Sequence, residues 1–435
     1  MNCRMKNLKL KKKLVGGHKF LCNYLIYLVL VFSKSLFAVQ IYDYQAENFI
    51  NNINSKILSV NSYDKKINFK IINDDFPNAF VTEDNTIYLT SGLLSYSPDY
   101  VALLGVLAHE IGHLEKYHIK KRKEEVKNLK NINSYGNLAA VIGSMIMQEP
   151  EIINAVVVNQ TTVNNIFINF SQDQEIEADF YAVETINKLK LPTDSIKNFL
   201  LILENKTSFD LIDEELKKFS THPIYEKRYE ILKYKNTNDS LTYDQSFQKE
   251  FNFIQAKFMA YTNNGIIANL KDDNKIYYDS IQFSKSGNLI ESLRRINLLI
   301  SKYDNNIFLI ETKADILLSY GFNIEAIEFY KKVLKQQPNN NYAKYNIFIN
   351  INLNKTDYNF NEKLFLNNLN LLKYFPNNRN VLMKYYNLSK LLEFEDWISF
   401  FEILLFNKED KKLILKKLNK QTKDYNLKTI IKLYT

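Results

Sequence analysis

The run His109-Glu110-Ile111-Gly112-His113 carries the densest chemistry in the chain. On a helix, positions i and i+4 lie on one face, so two imidazoles at that spacing can share a Zn²⁺ ion. The carboxylate between them is in reach of a water at such a site. The chain has five His in 435 residues, so chance rarely produces this pairing. The flanks, Val106-Leu107-Ala108 before and Leu114 after, are apolar and argue against a plain solvated helix.

A hydrolytic zinc site needs a third protein ligand and one open position. Gln174-Glu175-Ile176-Glu177-Ala178-Asp179 lies in a stretch with helical character running to Leu189. Glu175 and Asp179 are four apart and share a face, whereas the i+4 partner of Glu177 is Tyr181. Glu175 is therefore the expected third ligand. Asp179 is expected to accept an imidazole N–H and orient that ring. Ala178 and Ala182 would let this helix approach the first closely. Two His and one carboxylate suit zinc among the divalent ions. His118, nine residues beyond His109, is expected on nearly the same side of the metal helix.

The elements that must position these residues are legible upstream. Residues 43–58 read as a helix. Ile67 to Ile72, Ala79 to Val81 and Thr86 to Leu89 read as strands, punctuated by Pro77 and Glu83-Asp84-Asn85. Pro98-Asp99 opens a long helix with Val101, Leu104, Leu107, Ile111 and Leu114 near helical spacing. Residues 136–170 separate the two metal-binding stretches. A core helix is the plainer reading of them; a lid or a membrane-facing patch for peripheral contact is the alternative.

Beyond residue 240 the pattern changes to a weak period of 34. Ser280 and Ala314, Gly287 and Gly321, Ser292 and Ala326, and Asp304 and Pro338 are each 34 apart. Small residues at helix crossings, Gly at the inter-helix turn and Pro after the second helix form the tetratricopeptide pattern. The best copy is Ile307 to Asn340, and Pro376-Asn377-Asn378 echoes Pro338-Asn339-Asn340 at 38 residues. Helical stretches at 243–262 and 384–434 are expected to complete a solenoid with a concave protein-binding surface.

Charge speaks against nucleic acid as a partner. The net charge is +9, but residues 1–38 hold Arg4, Lys6, Lys9, Lys11, Lys12, Lys13, Lys19 and Lys34 and no acid. Without those eight, 49 basic residues face 48 acidic ones. This segment reads as an export signal: a basic stretch, the 13-residue apolar run Phe20 to Phe32, and small residues ending at Ala38. The alternative is an inner-membrane anchor formed by uncleaved residues 20–32. Both cysteines, Cys3 and Cys22, fall inside the segment, which leaves the rest without thiols and suits an oxidising periplasm.

Four local patterns together resemble the Ste-type zinc metallopeptidases, the group that includes the CAAX prenyl endopeptidases. They are His109 to His113 followed by His118; Glu175 to Asp179; Thr221-His222-Pro223 with Arg228; and Pro77 to Phe80 with Ile87 to Leu94. Within the group the chain is most similar to the soluble periplasmic beta-barrel assembly-enhancing proteases. The resemblance covers residues 43–235 and implies an α+β zincin (gluzincin-like) peptidase domain, mostly helical, over 39–235. An all-α tetratricopeptide-type solenoid would follow over 240–435. It further implies Zn²⁺ at His109, His113 and Glu175, Glu110 as general base, and a supporting role for His118. His222 and Arg228 become candidates for stabilising charge on the carbonyl oxygen, with His222 alternatively a reversible fourth zinc ligand. Protein or peptide substrates are implied, with outer-membrane assembly machinery as the partner of the repeats. Two functions compete on this basis: degrading or processing misassembled envelope proteins, or scaffolding their assembly as a normally latent protease.

Overall fold

The computed structural model describes residues 40–82, 84–121, 170–209, 226–231, 243–304, 306–407 and 410–435. The segment read as an export signal, most of 136–170, and His222 lie outside the described residues.

The first part builds a small sheet backed by helices. β1 (Gln40–Ile41) leads into helix α1 (Tyr44–Val60), then β2 (Asn68–Ile72), β3 (Ala79–Val81), β4 (Thr86–Thr90) and α2 (Ser91–Tyr96). The strand order is β1-β2-β4-β3. β2 and β4 run parallel, with Asn68 beside Thr86 and Ile72 beside Thr90, and the other pairs are antiparallel. β3 thus ends the sheet. Asp43 caps α1 by accepting from the Ala46 amide at 2.8 Å. Ala46, Phe49, Ile50, Ile53 and Ile57 then recur at helical spacing and are all buried. The expected strands and first helix agree with these bounds to within one or two residues.

α3 (Tyr100–Glu115) is the central helix. Asp99 caps it by accepting from the Ala102 amide at 2.8 Å. Its residues are buried nearly all round, as suits a helix enclosed on every side. It packs on β3, α1, α4 (Gln172–Lys188) and α5 (Asp194–Phe209). The α3–α4 contact is tight at Gly112, where an added Cβ would meet the Ala178 Cα at 3.2 Å and the Tyr181 Cβ at 3.1 Å. Glycine there leaves room for this close approach; a Cβ would force the two helices apart by a few tenths of an ångström. A short helix α6 (Glu226–Ile231) packs against α4.

α7 (Gln245–Thr262) joins the two halves. Phe247, Phe251, Ile254 and Phe258 belong to the core around α1 and α3, while Phe253, Ala256, Met259 and Ala260 enter the core of the helices that follow. Those are α8 (Asp272–Lys285), α9 (Leu289–Lys302), α10 (Ile307–Ser319) and α11 (Asn323–Gln336). They form two hairpins whose turns match at 34 residues. Gly287 and Gly321 have φ of 86° and 82°, and Asn288 and Phe322 donate back to Phe283 and Leu317 in the same way. A left-handed residue at that point is what ends the first helix of each pair. Ser280, Ser292, Ala314 and Ala326 are fully buried at the crossings.

α12 (Asn341–Asn350), α13 (Tyr358–Asn367), α14 (Asn370–Tyr374), α15 (Arg379–Leu391), α16 (Glu395–Leu405), α17 (Lys411–Gln421) and α18 (Tyr425–Ile431) continue the helical half. Between α15 and α16, Glu393 takes the turn position with φ of 57°. α14 also reaches back to β1 and α1. Tyr42 packs on Tyr374 and Phe375 at centroid distances of 5.4 and 4.4 Å, and the Tyr374 hydroxyl donates to Glu47. Among the described residues, no helix is long and apolar enough to cross a membrane.

Candidate metal centre

α3 and α4 meet with their functional faces together. His109 and His113 project from α3, one turn apart, and Glu175 from the first turn of α4. Ser171 and Gln174 close a capping box at the start of α4, which fixes where that helix begins. The N-terminal end of a helix favours a carboxylate, which suits Glu175 in the first turn of α4.

The donor atoms lie close together. His109 Nε2 is 3.1 Å from His113 Nε2 and 3.4 Å from Glu175 Oε2, while His113 Nε2 is 3.4 Å from the other oxygen, Glu175 Oε1. Ligand bonds of ~2.0–2.1 Å in tetrahedral geometry set donors ~3.3 Å apart. The residues therefore fit a zinc-sized ion, and they form a cluster of His, His and Glu able to hold a metal. All three are buried, at 6%, 0% and 0% exposure. Glu110 lies beside His109 on α3 and is 1% exposed.

Each imidazole is held from behind. Asp179, one turn beyond Glu175, has Oδ1 2.8 Å from His109 Nδ1. Arg228 on α6 donates to the same carboxylate from Nε and from a terminal nitrogen, both at 2.7 Å, and its other terminal nitrogen is 3.5 Å from Glu175. Burial opposes ionisation of Asp179, but the Arg228 charge and His109 outweigh it and hold its pKa below the usual carboxylate value. Burial likewise opposes a charged His109, yet the hydrogen bonds its ring donates to Asp179 and Glu175 raise its pKa above the usual imidazole value. The pocket is electrically disposed to accept positive charge.

His113 is held differently. Its Nδ1 is 2.9 Å from His118 Nδ1, and His118 Nε2 is 3.0 Å from Glu177 Oε2. Phe170 stacks on the His113 ring at 3.7 Å between centroids. The expectation that His118 shares the His109 side of one helix is corrected here. Nine residues of unbroken helix turn through about 2.5 turns and end on the opposite side. The chain instead breaks after Glu115, and Tyr117 at φ of 56° redirects it, so that His118 returns against His113.

The structure thus brings His109, Glu110, His113, Glu175, Asp179 and Arg228 to one place, with His222 outside the described residues. Glu177 and Phe170 were not among the expected site residues. Spacing set Glu177 on another face from Glu175 and Asp179, and its partner depends on a turn that helix periodicity does not show. Phe170 had none.

Residues 45–236 match the model of peptidase family M48. A beta-barrel assembly-enhancing protease of Yersinia pestis is 25% identical over 189 residues, which is 43% of this chain and 38% of that one. One of Escherichia coli (strain K12) is 26% identical over 182 residues, 41% of this chain and 37% of that one. A putative beta-barrel assembly-enhancing protease of Vibrio cholerae is 26% identical over 185 residues, with the same two coverages. The matched part thus spans well under half the length of these relatives. The helix-borne His, His and Glu donors fall on the same stretch as the family match, and over residues 45–236 the chain is similar to peptidase family M48.

Proposed function

We propose that this chain is a zinc-dependent endopeptidase of the periplasm that degrades or processes misassembled envelope and outer-membrane proteins. It would carry one Zn²⁺ per chain on His109, His113 and Glu175. The observation that carries the hydrolytic reading is the buried cluster of His109, His113 and Glu175 donors beside a buried Glu110, inside the stretch similar to family M48. The names of the relatives support the substrate class, and the basic-then-apolar start of the chain supports export.

A zinc ion bound there supplies Lewis-acid polarisation of the scissile carbonyl and acidifies water. Glu110 takes a proton from the attacking water and returns it to the leaving amine. Asp179 accepts the Nδ1–H of His109 and leaves the Nε2 lone pair facing Glu175. The described contacts of Arg228 point at Asp179 and Glu175, so we assign it to positioning these carboxylates in place of the expected role at the carbonyl oxygen. His222 keeps the assignment implied by resemblance. β3, the strand that ends the sheet, offers backbone groups with which an extended substrate could pair.

We assign the helical half to the tetratricopeptide type and to docking of partner proteins, such as outer-membrane assembly machinery. The matched hairpins at Gly287 and Gly321 support the type. A cavity of about 710 Å³ between β1, α7, α8 and α10, lined by Lys257, Tyr261, Asp315 and Tyr342 among others, supports the docking role.

The test is Glu110→Gln. Cleavage should be abolished while zinc content stays at about one per chain; retained cleavage overturns the assignment. In cells, full rescue by the same variant would favour the scaffolding function of a normally latent protease, and no rescue favours proteolysis.

A further inference from the structure

We propose that His118 and Glu177 are positioning residues that act through His113, forming a chain from a half-exposed carboxylate through one imidazole to the next. This inference rests on the zinc reading above and adds a second, differently built support for the metal donors.

The argument is one of donors and acceptors. Glu177 is an acceptor, so the His118 nitrogen 3.0 Å from it donates, and that nitrogen is Nε2. A neutral imidazole has one donor and one acceptor, which leaves His118 Nδ1 bare. His113 Nδ1, 2.9 Å away, must then be the protonated nitrogen of its ring. That in turn leaves His113 Nε2 as a lone pair, aimed at His109 Nε2 and Glu175 at 3.1 and 3.4 Å. One carboxylate thus sets two tautomers in series. His118 is fully buried, and Phe170 clamps the His113 ring face, so neither ring is free to turn.

The two donor imidazoles are not held alike. His109 leans directly on Asp179, which is buried and gripped by Arg228. His113 leans on Glu177 through His118, and the Glu177 side chain is 51% exposed. Solvent and salt screen an exposed carboxylate far more than a buried one. The His113 arm is therefore the adjustable one, and its far end lies at the surface.

The experiment measures zinc affinity of the full chain by competition with a chromophoric chelator, alongside the melting temperature of the metal-free protein. His118→Phe, which keeps the ring and removes both nitrogens, should weaken zinc by about 10- to 100-fold. Glu177→Ala should weaken it by about 2- to 5-fold at low salt, with the difference shrinking as salt rises. The metal-free Glu177→Ala protein should melt with wild type. In the metal-free wild type, nitrogen NMR should show His113 protonated at Nδ1, a tautomer preference that the His118 variant should lose. Unchanged zinc affinity in either variant overturns the chain of positioning residues. If His118→Phe does not fold, Glu177→Ala decides alone. A wild-type protein that binds no zinc overturns the metal reading, and this proposal with it.

Discussion

Arg228 holds Asp179 by two guanidinium nitrogens, each 2.7 Å from a different carboxylate oxygen, and both residues are buried. The same Asp179 meets His109 Nδ1 at 2.8 Å, so α6 is tied to α3 through one side chain of α4. Removing the cation strands a buried carboxylate. Arg228→Ala should cost about 3–5 kcal/mol of stability in chemical denaturation and weaken zinc binding. Arg228→Lys keeps the charge but loses the fork and should fall between the two. Equal stability of all three proteins would show that the pair has no structural part.

Gly112 sets the distance between the two ligand-bearing helices. A methyl group there meets the Ala178 Cα at 3.2 Å and the Tyr181 Cβ at 3.1 Å. Gly112→Ala should cost about 1–3 kcal/mol through overpacking and should also weaken zinc, because Glu175 moves away with α4. Calorimetry with a zinc titration checks both; a loss of stability without any loss of zinc would show that the helices part elsewhere.

Glu311, on α10, is 4% exposed, and its carboxyl accepts from the Asn340 amide at 2.6 Å. Burial, followed by the nearby Asp315, pushes its pKa up from 4.5 to about 8. Between those two values the unfolded chain has released the proton and the folded chain has kept it. Stability from this group is therefore full below pH 4.5, declines as pH rises toward 8, and levels off above it. Urea midpoints across pH 5 to 9 should slope downward in the wild type. Glu311→Gln should flatten the slope, and an unchanged slope would place its origin in other groups.

Lys257 is 4% exposed and donates to Asp43 at 2.9 Å and to Gln45 at 3.1 Å, fastening α7 to the start of α1. Asp43 has a second task as the cap of α1. Asp43→Ala strands the ammonium and removes the cap, and should cost more than 3 kcal/mol in denaturant unfolding. Lys257→Met should cost less, since Asp43 keeps the Ala46 amide. The reverse order would show that the cap and the ion pair are energetically separate from what holds α7 in place.

The sequence by itself determined what depends on local periodicity. His109 and His113 share a face because they lie four apart on one helix, and Glu175 and Asp179 share one for the same reason. The helix start at Asp99, the three short strands, and the glycine turns at Gly287 and Gly321 were likewise legible, since each needs only a few adjacent residues. Tertiary structure decided the pairings between distant segments. Arg228 finds Asp179 from 49 residues away, and Tyr374 reaches Glu47 from 327 away. His118 belongs to this second class although it lies only five residues past His113. Its direction is set by a left-handed residue at Tyr117, which the hydrophobic pattern does not encode, and its partner Glu177 is on another helix. Periodicity reports which face a residue shares with its own helix; which neighbour that face meets depends on how closely the helices pack, and here the absent side chain of Gly112 allows the close approach of α4.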